Sequence, residues 1–486
     1  MSTSLKKSLS FTSLVILGSA GVIGSGWIYT TSYFFSQYTA GGVILGMILA
    51  SILAGCVAVA YGELAAQFPR AGGEILFTFI AYNKKLSFII GWLLIGAFIS
   101  STAFYMAAFG SLLSKGLPVL TPIMESIPLY KIANSQVYLG ELLAGITLVI
   151  FFYLLNNKSV DVGANTQKIL FIIKVLLGFA LAIAGIGLGD WSNFWPAFTP
   201  INQTNVDLIQ ATSSTMRFVI PALTFLTGFS LVSLLAEEAR ISPQKIGMTI
   251  VFTIFIAGAY YCLVLLGTAM IIPWQESAKM EFGAISTFTH AGYPALGYAA
   301  MGIAFLGMGT GSLAMAMGCS RIIFAMGRGG LLPQFLGKVN SRGVPANALT
   351  MTLIVTLSLG WLGKGAMIWF LDAGGVYVGL SWALTVLCMY KIRKKYPNNQ
   401  RPYQVSWKFI PFIGALGALA IIVMTLMPGT SMSLKFPEYI ILLLWVFLGI
   451  ILYILQNKNT HITDEDALKN MLGENYTEIK NVSVRQ

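Results

Sequence analysis

The sequence predicts an all-α integral membrane protein with about twelve membrane-spanning helices. Three observations carry that prediction. The 486 residues are 56 % hydrophobic and only 10 % charged, with a mean hydropathy of +0.77; a soluble chain of this length needs far more surface charge. Apolar runs of roughly twenty residues, enough to cross a hydrocarbon core of about 30 Å, recur along the whole length. The basic residues gather in every second connection, as they do on one side of a membrane.

The predicted spans have cores at 11–34, 41–65, 87–112, 137–156, 168–189, 217–238, 248–272, 292–318, 347–363, 367–391, 409–427 and 437–456. The first follows a short basic N-terminus, MSTSLKKSLS, with no small-residue cleavage site behind it. It is longer than a signal-peptide core, so a retained first helix is expected. All connections are short, which leaves no room for a soluble catalytic domain. The tail after Gln456 is polar and holds TDEDALKN; one short helix is open to it, but a mobile tail is expected.

With the N-terminus in the cytoplasm, 23 lysines and arginines fall on the cytoplasmic side and six on the outer side: Lys115, Lys131, Arg217, Lys279, Lys364 and Lys435. One missed or spurious span would scramble this bias. It places both termini in the cytoplasm and accounts for the net charge of +12 without any nucleic acid. Cys56, Cys262, Cys319 and Cys388 all lie in apolar runs and show no metal-ligand spacing. His290, expected in a connecting loop, and His461, in the tail, are the two histidines, so no metal or other cofactor is expected. Asn202–Thr204 reads NQT, a glycosylation acceptor pattern in an outer connection.

Span 1 contains GSAGVIGSGW at 18–27. Each glycine weakens a helix by about 1 kcal/mol relative to alanine. Gly18, Gly21, Gly24 and Gly26 therefore either break the helix or form a small-residue packing face. A break would expose amide N–H groups at the start of the outer half-helix, a setting suited to a carboxylate, with Ser25 as a further donor. Span 6 is weakened by Pro221 and Gly228 and carries the hydroxyls of Thr224, Thr227 and Ser230. Five spans separate the two, and an odd-numbered repeat would place them in opposite orientations with both interruptions near the midplane.

The last of the 30 basic residues, Lys174, lies inside span 5. Either its stem snorkels to the interface, or it is buried and gains and loses a proton during transport, steadying a loose carbonyl of the helix-1 break. No Asp or Glu lies near the centre of spans 1, 3, 6, 8 or 10. Glu63, Glu237 and Glu238 sit at cytoplasmic ends and Asp372 near an outer end, so a neutral substrate is favoured over a doubly basic one. Neither a HExxH helix nor paired intramembrane aspartates are present, which speaks against a membrane-embedded enzyme. The short tail speaks against a receptor with a signalling domain.

Five stretches together resemble the amino acid–polyamine–organocation superfamily of transporters. They are IGSGW at 23–27, YGELAAQFPRAGGE at 61–74, GFSLVSLLAEEARISP at 228–243, SRIIFAMGRGGLLPQFLGKVNSRGVPANAL at 320–349 and RPYQV at 401–405. The resemblance implies a leucine-transporter-type fold of two inverted five-helix repeats, 11–189 and 190–391, with helices 11 and 12 at 392–456 peripheral. A cytoplasmic N-terminus at 1–10 and a cytoplasmic tail at 457–486 complete the chain. By the same resemblance, Val22, Gly24, Ser25 and Gly26 take a substrate carboxylate. The helix-6 carbonyls of Phe225, Leu226 and Thr227, beside Gly228, take its ammonium. Lys174 falls where a helix-5 lysine replaces a sodium ion.

The chain also departs from the family pattern. Thr224 occupies the usual place of an aromatic gate, with Phe225 next to it. Ser230 stands where many members carry an acid or amide, MGRGG replaces the usual RDG loop, and Trp27 is bulkier than the usual aliphatic residue. The expected function is secondary transport of an amino acid by alternating access across the cell membrane, with proton symport ahead of exchange or polyamine uptake. The expected partners are the substrate, protons and the lipid bilayer; the sequence assigns no oligomeric state.

Overall fold

The computed structural model describes residues 5–133, 135–201, 203, 208–430, 433–459, 462–473 and 476. His461, and Asn202 and Thr204 of the NQT tripeptide, lie outside the described residues. The chain opens with α1 (Phe11–Val22) and α2 (Gly26–Tyr38), two pieces of one span bent by 44°. Ser10 starts α1 by accepting from the Ser13 amide at 3.2 Å. Next come α3 (Ala40–Gln67), the short buried α4 (Glu74–Ala81) and α5 (Lys84–Gly116), which Asn83 caps through the Leu86 amide at 2.9 Å. An outlying segment then folds as α6 (Thr121–Met124) and an antiparallel hairpin of β1 (Pro128–Ile132) and β2 (Ser135–Tyr138). The apolar patterning had not indicated this hairpin.

The next two spans are α7 (Leu139–Lys158) and α8 (Val160–Leu188). A second interrupted span follows: α9 (Leu208–Phe225), a 3-10 turn over Thr227–Ser230, and α10 (Leu231–Leu234). Proline at the first helical position opens both α11 (Pro243–Ile271) and α14 (Pro294–Arg328), where its missing N–H costs nothing. Between them lie α12 (Trp274–Ser277) and α13 (Ala284–His290), so His290 closes a short helix instead of lying in a loop. The chain ends with α15 (Ala346–Gly360), α16 (Gly363–Lys395), α17 (Phe409–Leu426), α18 (Phe436–Asn459) and α19 (Asp464–Leu472).

Among the described residues ten helices are long and apolar enough to cross a membrane, and the bent pair α1–α2 makes an eleventh. The span expected at 347–363 is α15, whose 15 residues fall below the roughly 17 needed. Gly363, with φ of 74°, turns the chain between α15 and α16. Three helices outrun their expected cores most: α8 starts at Val160, not 168, α9 at Leu208, not 217, and α14 continues to Arg328, not 318. Hydropathy marks the membrane crossing, whereas the polar end turns stay helical by packing on their neighbours.

Burial separates the centre from the periphery. In α5, 83 % of the apolar window is buried, whereas in α18 only 11 % is. One tie of α18 to the centre is a stacked pair, Trp92 on α5 and Trp445 on α18, with ring centroids 4.4 Å apart. Each indole N–H donates to the other residue's carbonyl, at 2.8 and 3.1 Å.

The first and last described segments pack at the same end of the bundle. The Leu5 amide donates to Glu237, and Arg70 Nε donates to the Met471 carbonyl at 3.2 Å. Residues 462–473 of the tail thus differ from the mobile segment expected. Thr463 caps α19 through the Asp466 amide, three acids occupy its first turn, and Ala467, Met471 and Leu472 bury one face. Three apolar positions on one stripe suffice to dock a polar helix.

Candidate functional site

The interruption between α1 and α2 spans Ile23, Gly24 and Ser25. Broken backbone inside a membrane protein needs partners of its own, and two side chains supply them. The Tyr261 hydroxyl, from α11, donates to the Val22 carbonyl at 2.9 Å and accepts from the Gly24 amide at 2.9 Å. Lys174 Nζ, from α8, donates to the Ile23 carbonyl at 2.6 Å and to Thr310 Oγ1 of α14 at 2.9 Å. Lys174 is fully buried in the middle of its helix, so it does not snorkel.

Tyr261 was not singled out from sequence. Its sole signal is a phenol in an apolar helix, which must find a hydrogen-bond partner when buried.

The four glycines of the opening stretch divide the two roles. Gly18 and Gly21 are packing positions: a Cβ on Gly18 would lie 2.5 Å from Val232 Cγ2, and one on Gly21 3.1 Å from the Gly228 carbonyl. Gly24 and Gly26 sit at the break and remain partly exposed. A Cβ on Gly24 would meet nothing closer than the Tyr105 hydroxyl at 3.8 Å, and one on Gly26 would meet the Phe225 ring at 3.2 Å. The first amides of α2, as at any helix start, lack intrahelical acceptors. Ser25 is fully buried against Gly307 of α14, and its Oγ has no described partner.

The second interruption falls at Leu226. Pro221 stays inside α9 without breaking it. Thr224 is exposed and turns its hydroxyl back to the Pro221 carbonyl at 2.7 Å; Thr227 does the same to the Thr224 carbonyl at 3.1 Å. Phe225 packs edge-on against Phe34 of α2 and Tyr261, with centroids 5.7 and 5.8 Å away. Gly228 makes the closest approach of the two spans: a Cβ there would lie 2.1 Å from the Gly21 carbonyl oxygen. The geometry thus brings Val22 beside Gly228 and Gly26 beside Phe225, with Gly24 held by Tyr261, while Ser25 and Thr224 turn to other neighbours.

Beneath the second break lies a cavity of about 40 Å³. Its apolar walls are Leu94, Ala97, Phe98, Met315, Val378 and Trp382, and Thr227, Gly228 and Ser230 form its roof. Ser101 and Glu74 are its other polar residues. Glu74 opens α4, outside every predicted span, which is why a search of span centres for acids passed over it.

Below this region, three of the sequence stretches converge in a buried ionic knot. Arg328 forks onto Glu237 at 3.0 and 2.7 Å, and Arg321 onto Glu238 at 2.7 and 3.0 Å. Glu237 also accepts from the amides of Ala71 (2.9 Å) and Leu5 (3.1 Å), with Arg70 at 3.6 Å. The Ser8 and Leu9 amides bond the Glu238 carbonyl at 2.9 Å. Burial opposes ionisation of Glu237, but Arg328 and Arg70 prevail and hold its carboxyl at about 2.

A carboxyl depressed on folding stabilises fully above its unfolded value and loses that contribution as pH falls through the folded one. Glu237→Gln should therefore cost about 3–5 kcal/mol at neutral pH. Unfolding of the two proteins, followed from neutral pH downward, should converge as pH drops from about 4.5 towards 2. A pH-independent difference would show that the ion pair is not its source.

A sequence profile described as amino acid permease matches residues 9–452. The chain is 27 % identical over 406 residues to the branched-chain amino acid permease BcaP of Lactococcus lactis subsp. cremoris, covering 81 % of this chain and 85 % of that protein. It is 27 % identical over 473 residues to the branched-chain amino acid permease BcaP of Bacillus subtilis, covering 94 % of each. It is 25 % identical over 411 residues to cationic amino acid transporter 4 of Homo sapiens, covering 82 % of this chain and 62 % of that protein.

Proposed function

Since the chain belongs to the amino acid permease family of the amino acid–polyamine–organocation superfamily, and is thus a multi-pass membrane transporter and not an enzyme, we propose that it carries a neutral aliphatic amino acid by proton-coupled symport. The observation that carries this reading is the meeting of two broken spans, the second of which lines an apolar-walled cavity. The free amides at the start of α2 suit the substrate carboxylate. The carbonyls ending α9, at Phe225, Leu226 and Thr227, suit its ammonium. The walls Leu94, Ala97, Phe98, Met315, Val378 and Trp382 suit an aliphatic side chain, in keeping with the branched-chain substrates in the names of two relatives. A 40 Å³ cavity holds water and not an amino acid, so the site must widen to load, as alternating access requires.

The finer architecture belongs to the same proposal. Counting α15 as a shortened crossing gives twelve spans, and an even number suits first and last described segments that pack at one end of the bundle. The breaks in the first and sixth spans then occupy matching places in inverted repeats at 11–189 and 190–391, with 392–456 peripheral. The basic-residue bias puts both termini in the cytoplasm of a plasma-membrane protein. Lys174 holds the helix-1 break through Ile23 and is the proton-linked group.

Purified protein in liposomes should accumulate valine or leucine when the outside is made acidic. Lys174→Gln should cut gradient-driven uptake by roughly 10-fold or more, since leaving a buried carbonyl unpaired costs about 1–3 kcal/mol. Uptake by Lys174→Gln that follows the gradient as the wild type does would remove Lys174 from the coupling role.

A further inference from the structure

Glu74 is buried, and neither of its carboxyl oxygens makes a hydrogen bond with a described residue. Such a carboxylate, left charged without a partner, is strongly disfavoured. Among the described residues, the surrounding helices offer it no cation. On α14, Arg321 and Arg328 are engaged by Glu238 and Glu237. On α16, Lys395 donates to the Ile80 carbonyl and Lys391 sits over the Tyr82 ring, both at the far end of α4. Lys84 and Lys85 of α5 lie beyond that same end, and Lys469 of α19 is exposed. Tyr61 of α3 is the ionisable group beside the carboxyl, and Ser230 stands next to it.

The acid also lines the cavity under the α9 break, whose other walls are mainly apolar. Its place there is close to the substrate end. Ser230 lies two residues beyond Gly228 in a 3-10 turn, a rise of roughly 4 Å. A side chain entering the cavity at Gly228 therefore reaches Glu74 after a few bonds.

We propose that Glu74 is the selectivity residue of this cavity: protonated, it leaves a neutral pocket for an aliphatic side chain, and ionised, it receives the distal ammonium of a short diamino acid such as ornithine. On ionising, the proton leaves to water and the ammonium takes its place as counter-charge. The inference rests on the reading of the cavity as the side-chain end of an amino acid site. Burial raises the carboxyl to about 7, which places the exchange of preferences near neutral pH. The amines of ornithine that matter here keep their charge well above that range.

The test is paired uptake of valine and ornithine by the full-length protein in liposomes, from pH 5.5 to 8.5. In the wild type the ornithine-to-valine ratio should rise through the range by up to roughly tenfold per pH unit, since ornithine needs the ionised and valine the protonated form, and the pH at which the two rates are equal serves as the midpoint. In Glu74→Gln the ratio should stay flat at its acid value. Because the readout is a ratio, a slower variant remains informative. If Glu74→Gln does not fold, Glu74→Asp serves instead, with the rise retained and its midpoint displaced. A ratio that rises with pH in Glu74→Gln as in the wild type, or a midpoint unmoved in Glu74→Asp, overturns the role of Glu74 and leaves amino acid transport standing. Uptake of neither amino acid by the wild type overturns the transport reading itself, and this inference with it.

Discussion

Gly228→Ala is expected to abolish transport and to destabilise the protein by about 3 kcal/mol or more, the upper end of what overpacking costs. The added Cβ would lie 2.1 Å from the Gly21 carbonyl oxygen and 2.7 Å from the Val22 amide nitrogen. Both are backbone atoms, so no rotamer change relieves the clash. The spans must separate, and with them Gly26 moves away from Phe225. Gly21→Ala is the graded control: its Cβ would lie 3.1 Å from the Gly228 carbonyl, a contact relieved by a few tenths of an ångström. Thermal unfolding and uptake should rank wild type, Gly21→Ala and Gly228→Ala in that order. Equal stability of all three would show that the two spans do not need this approach.

What could be read from sequence follows from where the information sits. The interruption of the first span was legible because four glycines in ten residues contradict an apolar helix, although both offered explanations turned out to act, Gly18 and Gly21 in packing and Gly24 and Gly26 at the break. Lys174 was legible because a lysine in an apolar run is expensive wherever its head goes; the structure settles that its head goes to the Ile23 carbonyl. In the sixth span the break was expected, but Pro221 did not cause it; the chain breaks five residues later, where Gly228 presses on Gly21.

Other features left no local mark. Tyr261 is one tyrosine among twenty, and only the three-dimensional meeting of α11 with the α1 break gives its hydroxyl a task. Glu74 lay outside the spans where acids were sought. The pairing of Arg328 with Glu237 joins residues far apart in sequence, and the docking of α19 depends on a face that the rest of the bundle supplies. Hydropathy reports which segments leave water, not which polar groups meet when they do.

The central claim is that the amides at the start of α2 receive the substrate carboxylate, and Gly24 offers the sharpest test of it. An alanine there has room, with its Cβ no closer than 3.8 Å to the Tyr105 hydroxyl and 4.0 Å to that of Tyr261. The fold should tolerate it, and the unfolding midpoint without amino acid should move by about 4 °C or less. The same methyl group occupies the space through which a carboxylate would approach the amides. Valine or leucine at about 100 times its dissociation constant should stabilise the wild type by about 2.7 kcal/mol. The measurement is thermal unfolding of wild type and Gly24→Ala with and without the amino acid. The account predicts a stabilised wild type and a Gly24→Ala protein that folds normally but gains nothing from the ligand; equal stabilisation of the two would contradict it.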